Sequence, residues 1–143
     1  FAVGPEGKVT GIESQPLIET VVGYGLAHFK AENWPIQEAM RGIETVCADA
    51  FSYLKQQEDD SVDVVYFDPM FRHPLLESRS LSPLRTVANH APVSPAMIEE
   101  ACRVARRRVV FKENARSLEF ERLGFTQIMG GRYSKVHYGV RIL

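Results

Sequence analysis

One stretch limits the possible folds more than any other. Val62 to Pro74 read VDVVYFDPMFRHP, a run of β-branched and aromatic residues that stops at an acid and a proline. Such residues suit a pleated strand. A near-continuous apolar run predicts a strand covered on both faces, as in a parallel sheet lying between helices. Proline has no N–H for a sheet ladder, so the strand ends there. It delivers a carboxylate, Asp68, and a large ring, Phe71, to one place.

The rest of the chain extends that reading. GKVTGIE is a short strand opened by the turn residues of GPEG, and a helix is expected from Pro16, where Leu17, Ile18, Val21 and Val22, extended by Tyr24 and Leu26, give a mostly apolar face. Ile43 to Cys47 form a second strand running into a helix near Asp49. After the segment RHPLLESRSLSPLRTVANHAPV, long enough to be a functional flap, SPAMIEEACRVA is a helix with Ser94 as N-cap and Pro95 as its first residue. RVVFKE is a fourth strand, ARSLEFERLG a helix ended by Gly124, and FTQIMGGRYSKVHYGVRIL two strands joined through GGRYS. The fold class is therefore α/β, a mostly parallel sheet with helices on both faces and a closing antiparallel hairpin.

At 143 residues, 45% apolar and 24% charged, the chain fits a single globular domain, 1–143. No apolar segment is long enough to cross a bilayer and the start lacks the order of a signal peptide, so a cytoplasmic protein without membrane contact is expected. The net charge of −1 gives no global pull on nucleic acid, which leaves local basic patches. Cys47 and Cys102 lack metal-ligand spacing and read as buried thiols, and the four histidines show no ligand pattern, so no metal is expected. The first residue, Phe1, leads straight into a strand, as in a fragment whose upstream part is absent.

Ligands of such sheets bind beyond the carboxyl ends of the strands, which singles out Glu13, Asp49, Asp68 and Lys112. Glu13 can accept from both hydroxyls of a ribose, or lie exposed at a helix N-terminus. Asp49 can accept from an adenine amine while the Ala50 amide donates to the ring, or it can cap the following helix. Asp68 with the carbonyls about Pro69 can grip the two hydrogens of an amino group, and Phe71 can stack a flipped base. The alternative there is a plain turn with Phe71 in the core. Arg72, His73, Arg79, Arg85 and His90 can meet phosphates or form a solvated loop. Lys112 can reach Asp68 or a phosphate, or stand as a surface lysine. RVARRR reads as a helix C-terminus, and Trp34 and Tyr53 as packed aromatics.

YFDPMF resembles the Asp-Pro-Pro-aromatic signature of S-adenosylmethionine-dependent amino methyltransferases. It is closer to the Asp-Pro-Met-Phe form of the small-subunit ribosomal RNA guanine-N2 methyltransferases and their uncharacterised bacterial relatives. GIES, ADAFSYL, YFDPMFRH and RVVFKE occur in that family's order. The resemblance implies a Rossmann-like class I methyltransferase sheet with a reversed last strand, and S-adenosylmethionine as cofactor. It places Glu13 and Ser14 at the ribose, Asp49 and Ala50 at the adenine, Asp68 and Pro69 at the methyl-transfer centre and Phe71 against the target base. Arg72, His73 and Lys112 then face an RNA substrate.

There are departures. The family's glycine-rich loop would lie before Phe1, which implies weak cofactor binding by the chain as it stands. Met70 replaces the second proline of the wider signature, and Arg72 stands where the characterised ribosomal enzymes typically have proline. Three functions stay open at this point: methylation of an RNA base amine, ribosomal guanine first; methylation of a small-molecule or protein amine; and a non-catalytic RNA-binding or assembly role.

Overall fold

A computed structural model describes residues 2–69 and 88–143. The expected roles of Met70, Phe71, Arg72, His73, Arg79 and Arg85 fall outside them. The described chain forms two compact units, one from the residues up to Ala50 with Ala88 and Asn89, the other from Phe51 to Pro69 and His90 to Leu143.

In the first unit, β1 (Val9–Glu13) pairs in parallel with β2 (Ile43–Cys47), Glu13 lying opposite Cys47. Between them run α1 (Pro16–His28) and α2 (Trp34–Arg41). Pro16 starts α1 because its missing N–H would have no helical partner there. Gly23 lets α1 approach β2 closely: a Cβ on it would come within 2.9 Å of the Thr45 hydroxyl, which itself donates to Glu19 at 2.5 Å. Arg41 of α2 donates to the carbonyls of Leu26 and Phe29, closing the C-terminal end of α1.

The expected apolar face of α1 is not a buried one. Leu17, Val21 and Tyr24 are more than 60% exposed, and no residue of the helix is buried. The approach of α1 to β2 includes Gly23 and the polar Thr45–Glu19 pair, so a spacing of apolar residues was not enough to say what covers them. Helix α2 had no counterpart in the sequence reading, although Asn33 caps it through Ile36 and Gly42 ends it. Trp34, expected to pack, is 65% exposed at the first position of α2. Cys47 is exposed and Cys102 only half-buried, which corrects the expectation of two buried thiols.

The second unit holds the core. Helix α3 (Ala50–Lys55) leads to β3 (Val62–Phe67), and α4 (Pro95–Val104) runs directly into β4 (Ala105–Asn114). A short α5 (Glu119–Arg122) precedes the hairpin of β5 (Gln127–Met129) and β6 (Val136–Ile142). The sheet order is β3-β4-β6-β5, with β3 and β4 parallel and β6 antiparallel to both β4 and β5. The expected closing hairpin is thus present at one edge. Ser94 caps α4 by accepting from the Met97 amide at 3.1 Å, and Pro95 opens it.

Ile98, Val104, Val109 and Phe111 are all but fully buried where α4 packs on the sheet. The Phe111 ring meets Phe120 edge-on and stacks on Phe125, with centroids 5.9 and 5.7 Å away. Gly139 makes room for this cluster, since a Cβ there would lie 2.8 Å from Phe125 and 2.9 Å from Phe120. Arg103 ties α4 to the end of α3 through the carbonyls of Leu54 and Gln57, each 3.0 Å away, and bonds Asp59 and Glu100.

Three expectations change here. The run Arg106 to Arg108 lies in β4 rather than at a helix C-terminus, since α4 stops at Val104; Arg106 reaches Asp63 from there at 3.5 Å. The helix ended by Gly124 is short, because Asn114 to Ser117 form a turn closed by a 2.9 Å backbone bond. Strand β3 is not covered on both faces among the described residues. Val65 and Phe67 join the core, but Val62, Val64 and Tyr66 are 38–50% exposed. A run of apolar residues shows that a strand can be buried, and not which partners do so.

Candidate functional site

Each unit brings polar side chains to the carboxyl end of parallel strands. In the first, Glu13 closes β1. Its Oε1 accepts from the Gln15 amide at 2.8 Å and from the Ser14 hydroxyl at 3.4 Å. Both bonds fall on one oxygen, so among the described residues Oε2 keeps its acceptor capacity. The Ser14 hydroxyl also accepts from the Asn89 amide at 3.2 Å. On the neighbouring strand, Asp49 and Ala50 follow β2 directly, and the Ala48 amide donates to the Glu13 carbonyl at 3.0 Å. Glu13, Ser14, Asp49 and Ala50 therefore share one end of a two-stranded parallel sheet. That arrangement fits the ribose and adenine of a nucleoside: an oriented carboxylate with a vacant oxygen, beside an acid and an amide that open a helix.

In the second unit Asp68 and Pro69 follow β3. Lys112, opposite Tyr138 on the neighbouring strand, donates to Asp68 Oδ2 at 2.9 Å. The pair is partly shielded, with the lysine side chain 27% and the aspartate 47% exposed. Burial pulls the Lys112 pKa down, but the hydrogen bond and charge of Asp68, aided by Tyr66 and Tyr138, outweigh it and the net shift is upward. Lys112 is thus a fixed cation over the ordinary pH range. Tyr66 is raised by burial first and by the Asp68 charge second, with Lys112 opposing.

Pro69, with Pro92, Val93 and Glu113, lines a cavity of about 10 Å³, room for about one water. Of the open readings for Lys112, the structure takes the one in which it meets Asp68. Sequence reasoning passed over Tyr66, Tyr138 and Asn89. Tyr66 was within reach, standing two residues before Asp68 on the same strand face; Tyr138 and Asn89 needed the register and the tertiary fold.

Residues 4–129 match a family described as "Putative SAM-dependent methyltransferase". The chain is 42% identical over 140 residues to "Uncharacterized protein YpiP" of Bacillus subtilis (strain 168), covering 98% of this chain and 54% of that protein. It is 30% identical over 104 residues to "Ribosomal RNA small subunit methyltransferase J" of Pseudomonas fluorescens (strain Pf0-1), covering 71% and 40%. The protein of the same name from Thioalkalivibrio sulfidiphilus (strain HL-EbGR7) is 30% identical over 114 residues, covering 77% and 44%. The chain spans about half the length, or less, of these relatives.

Proposed function

The chain belongs to the S-adenosylmethionine-dependent methyltransferase family, and from that premise we propose that it methylates an exocyclic amine of an RNA base, a guanine of small-subunit ribosomal RNA first among the candidates. The observation that carries this reading is Asp68 at the end of β3, followed by Pro69, its carboxylate held at 2.9 Å by Lys112. The relatives named as small-subunit ribosomal RNA methyltransferases support the choice of RNA. The reading takes 1–143 as one cytoplasmic methyltransferase domain.

Glu13 and Ser14 would hold the ribose of S-adenosylmethionine, and Asp49 with the Ala50 amide its adenine. When bound, the cofactor supplies a methyl group activated by a sulfonium. The work of this chain is to make the amine a competent nucleophile. A base amine is a poor one because its lone pair delocalises into the ring. Asp68 Oδ1, the oxygen that Lys112 does not engage, accepts one N–H, and the Pro69 carbonyl accepts the other. The nitrogen is thereby held out of conjugation and aimed. The methyl would pass from sulfur to this nitrogen, the cofactor leaving as its neutral thioether, and Asp68 Oδ1 would be the first acceptor of the N–H proton that the methylated nitrogen sheds. Phe71 would stack the base, and Arg72 and His73 would meet its phosphates.

The test is calorimetric titration of the full-length protein with S-adenosylmethionine and S-adenosylhomocysteine, together with transfer of labelled methyl to a small-subunit ribosomal RNA transcript. Glu13→Ala and Asp49→Ala should weaken cofactor binding. Asp68→Ala should leave it in place and lower turnover by about 10²–10³-fold, as removal of a positioned transition-state group does. Full turnover by Asp68→Ala with cofactor bound would sink the mechanism.

A further inference from the structure

The tip of the β5–β6 hairpin, residues 130–135, does more than join two strands. Its register places it at the working end of the sheet. Met129 lies opposite Tyr138, and Tyr138 opposite Lys112, which holds Asp68. One row thus crosses the sheet from Asp68 to Met129, and residues 130–135 project beyond it on the side where Asp68 and Pro69 leave β3. Two strand spacings, about 10 Å, separate Asp68 from β6.

The tip is a built turn. The Ser134 amide donates to the Gly131 carbonyl at 2.9 Å, which makes Arg132 and Tyr133 its two central residues. The Ser134 hydroxyl donates to the Val136 carbonyl at 2.6 Å and accepts from the Val136 amide at 3.1 Å. The Ala115 amide donates to the Lys135 carbonyl at 3.0 Å and ties the turn to the end of β4. Gly130 lies against the His137 ring, where any Cβ would collide with it.

What this frame presents is an aromatic face beside cations. Tyr133 is 89% exposed, and the Arg132 guanidinium lies 5.6 Å from its ring centroid. Lys135 and Arg116 are exposed at the same end of the sheet. Residues 123–143 carry Arg132, Lys135 and Arg141 and no acid, in a chain whose net charge is −1. An exposed ring flanked by cations on an ordered turn is the combination by which proteins hold single-stranded nucleic acid: the ring stacks a base of any identity, and the cations follow the backbone.

We propose that the turn Gly131–Ser134 is an RNA-docking element, in which Tyr133 stacks an unpaired base next to the target nucleotide while Arg132 and Lys135 contact the flanking phosphates. The proposal rests on the RNA reading above and adds the surface by which the substrate strand is held.

The test uses the full-length protein and a fluorescein-labelled mixed-sequence single-stranded RNA, read by anisotropy across a salt series, with polyglutamate as competitor and methyl transfer to the ribosomal transcript measured in parallel. Tyr133→Ala should raise Kd about 5- to 160-fold, the range given by loss of one base stack, and Tyr133→Phe should restore binding. Arg132→Ala and Lys135→Ala should each flatten the slope of log K against log salt by about 0.7. Cofactor affinity should not change in any of them. Wild-type RNA binding and methylation that all four variants reproduce would overturn this proposal and leave the RNA-methylation reading standing. Absence of RNA binding by the wild type would overturn both, and polyglutamate binding sensitive to these variants while RNA binding is not would assign the turn to an acidic protein instead.

Discussion

The two units end their strands in the same way and are held together in different ways. In the second, α4 and the rings of Phe111, Phe120 and Phe125 bury the sheet, and every fully buried residue of the described chain belongs to this unit. In the first, α1 has no buried residue, and the elements are joined by the Thr45–Glu19 pair, the Arg41 bonds to the end of α1 and the Gly23 approach. A strand-end acid therefore needs no dry core directly beneath it. Glu13 is oriented by its own backbone neighbours, whereas Asp68 is oriented by a partly buried cation.

Substitutions can break that contrast. Phe111→Ala should destabilise the protein by about 3–5 kcal/mol, seen as a lower denaturation midpoint at unchanged slope; a loss under 1 kcal/mol would mean that the second unit lacks the core assigned to it. Gly23→Val should cost about 1–3 kcal/mol through its collision with Thr45, with hydrogen exchange rising in β1 and β2 rather than in β4. Exchange rising equally in both would make the two units one cooperative body.

Lys112→Met should cost no more than about 1 kcal/mol near neutral pH, and its sign with pH is fixed. Lys112 and Tyr66 both hold their protons more tightly when folded. Their contribution is complete below about pH 10 and is lost as pH rises through the folded values. The wild type should therefore show a steeper alkaline loss of stability than Lys112→Met, by denaturant titration across that range. The smallest effect should come from Val21→Ser, within about 0.5 kcal/mol of wild type, because Val21 is 62% exposed. A larger loss would show that something covers the α1 face in solution.

The same contrast explains what could be read in advance. The strands β1 to β4, the caps at Ser94 and Pro95, and the abrupt end at Asp68 were legible because local chemistry sets them: alternation, turn residues and a missing N–H. Exposure was not legible. Leu17, Val21, Trp34 and Cys47 belong to residue types that usually lie inside, and only tertiary packing decides whether a partner arrives. Helix α2 escaped because it is short and rests on one cap and a proline. The site was half legible, since the acids follow strand ends. The Lys112–Asp68 pair and the row that carries Tyr138 depend on register between strands far apart in the chain, which no local pattern encodes.

Gly139 has one more consequence. A position that excludes any side chain because two rings occupy its space is not free to vary by itself. Any replacement there obliges Phe120 and Phe125 to shrink or move in the same step. Across related chains the three positions should change together or not at all, leaving a statistical trace of the hairpin's attachment to the core that sequence counts alone can detect.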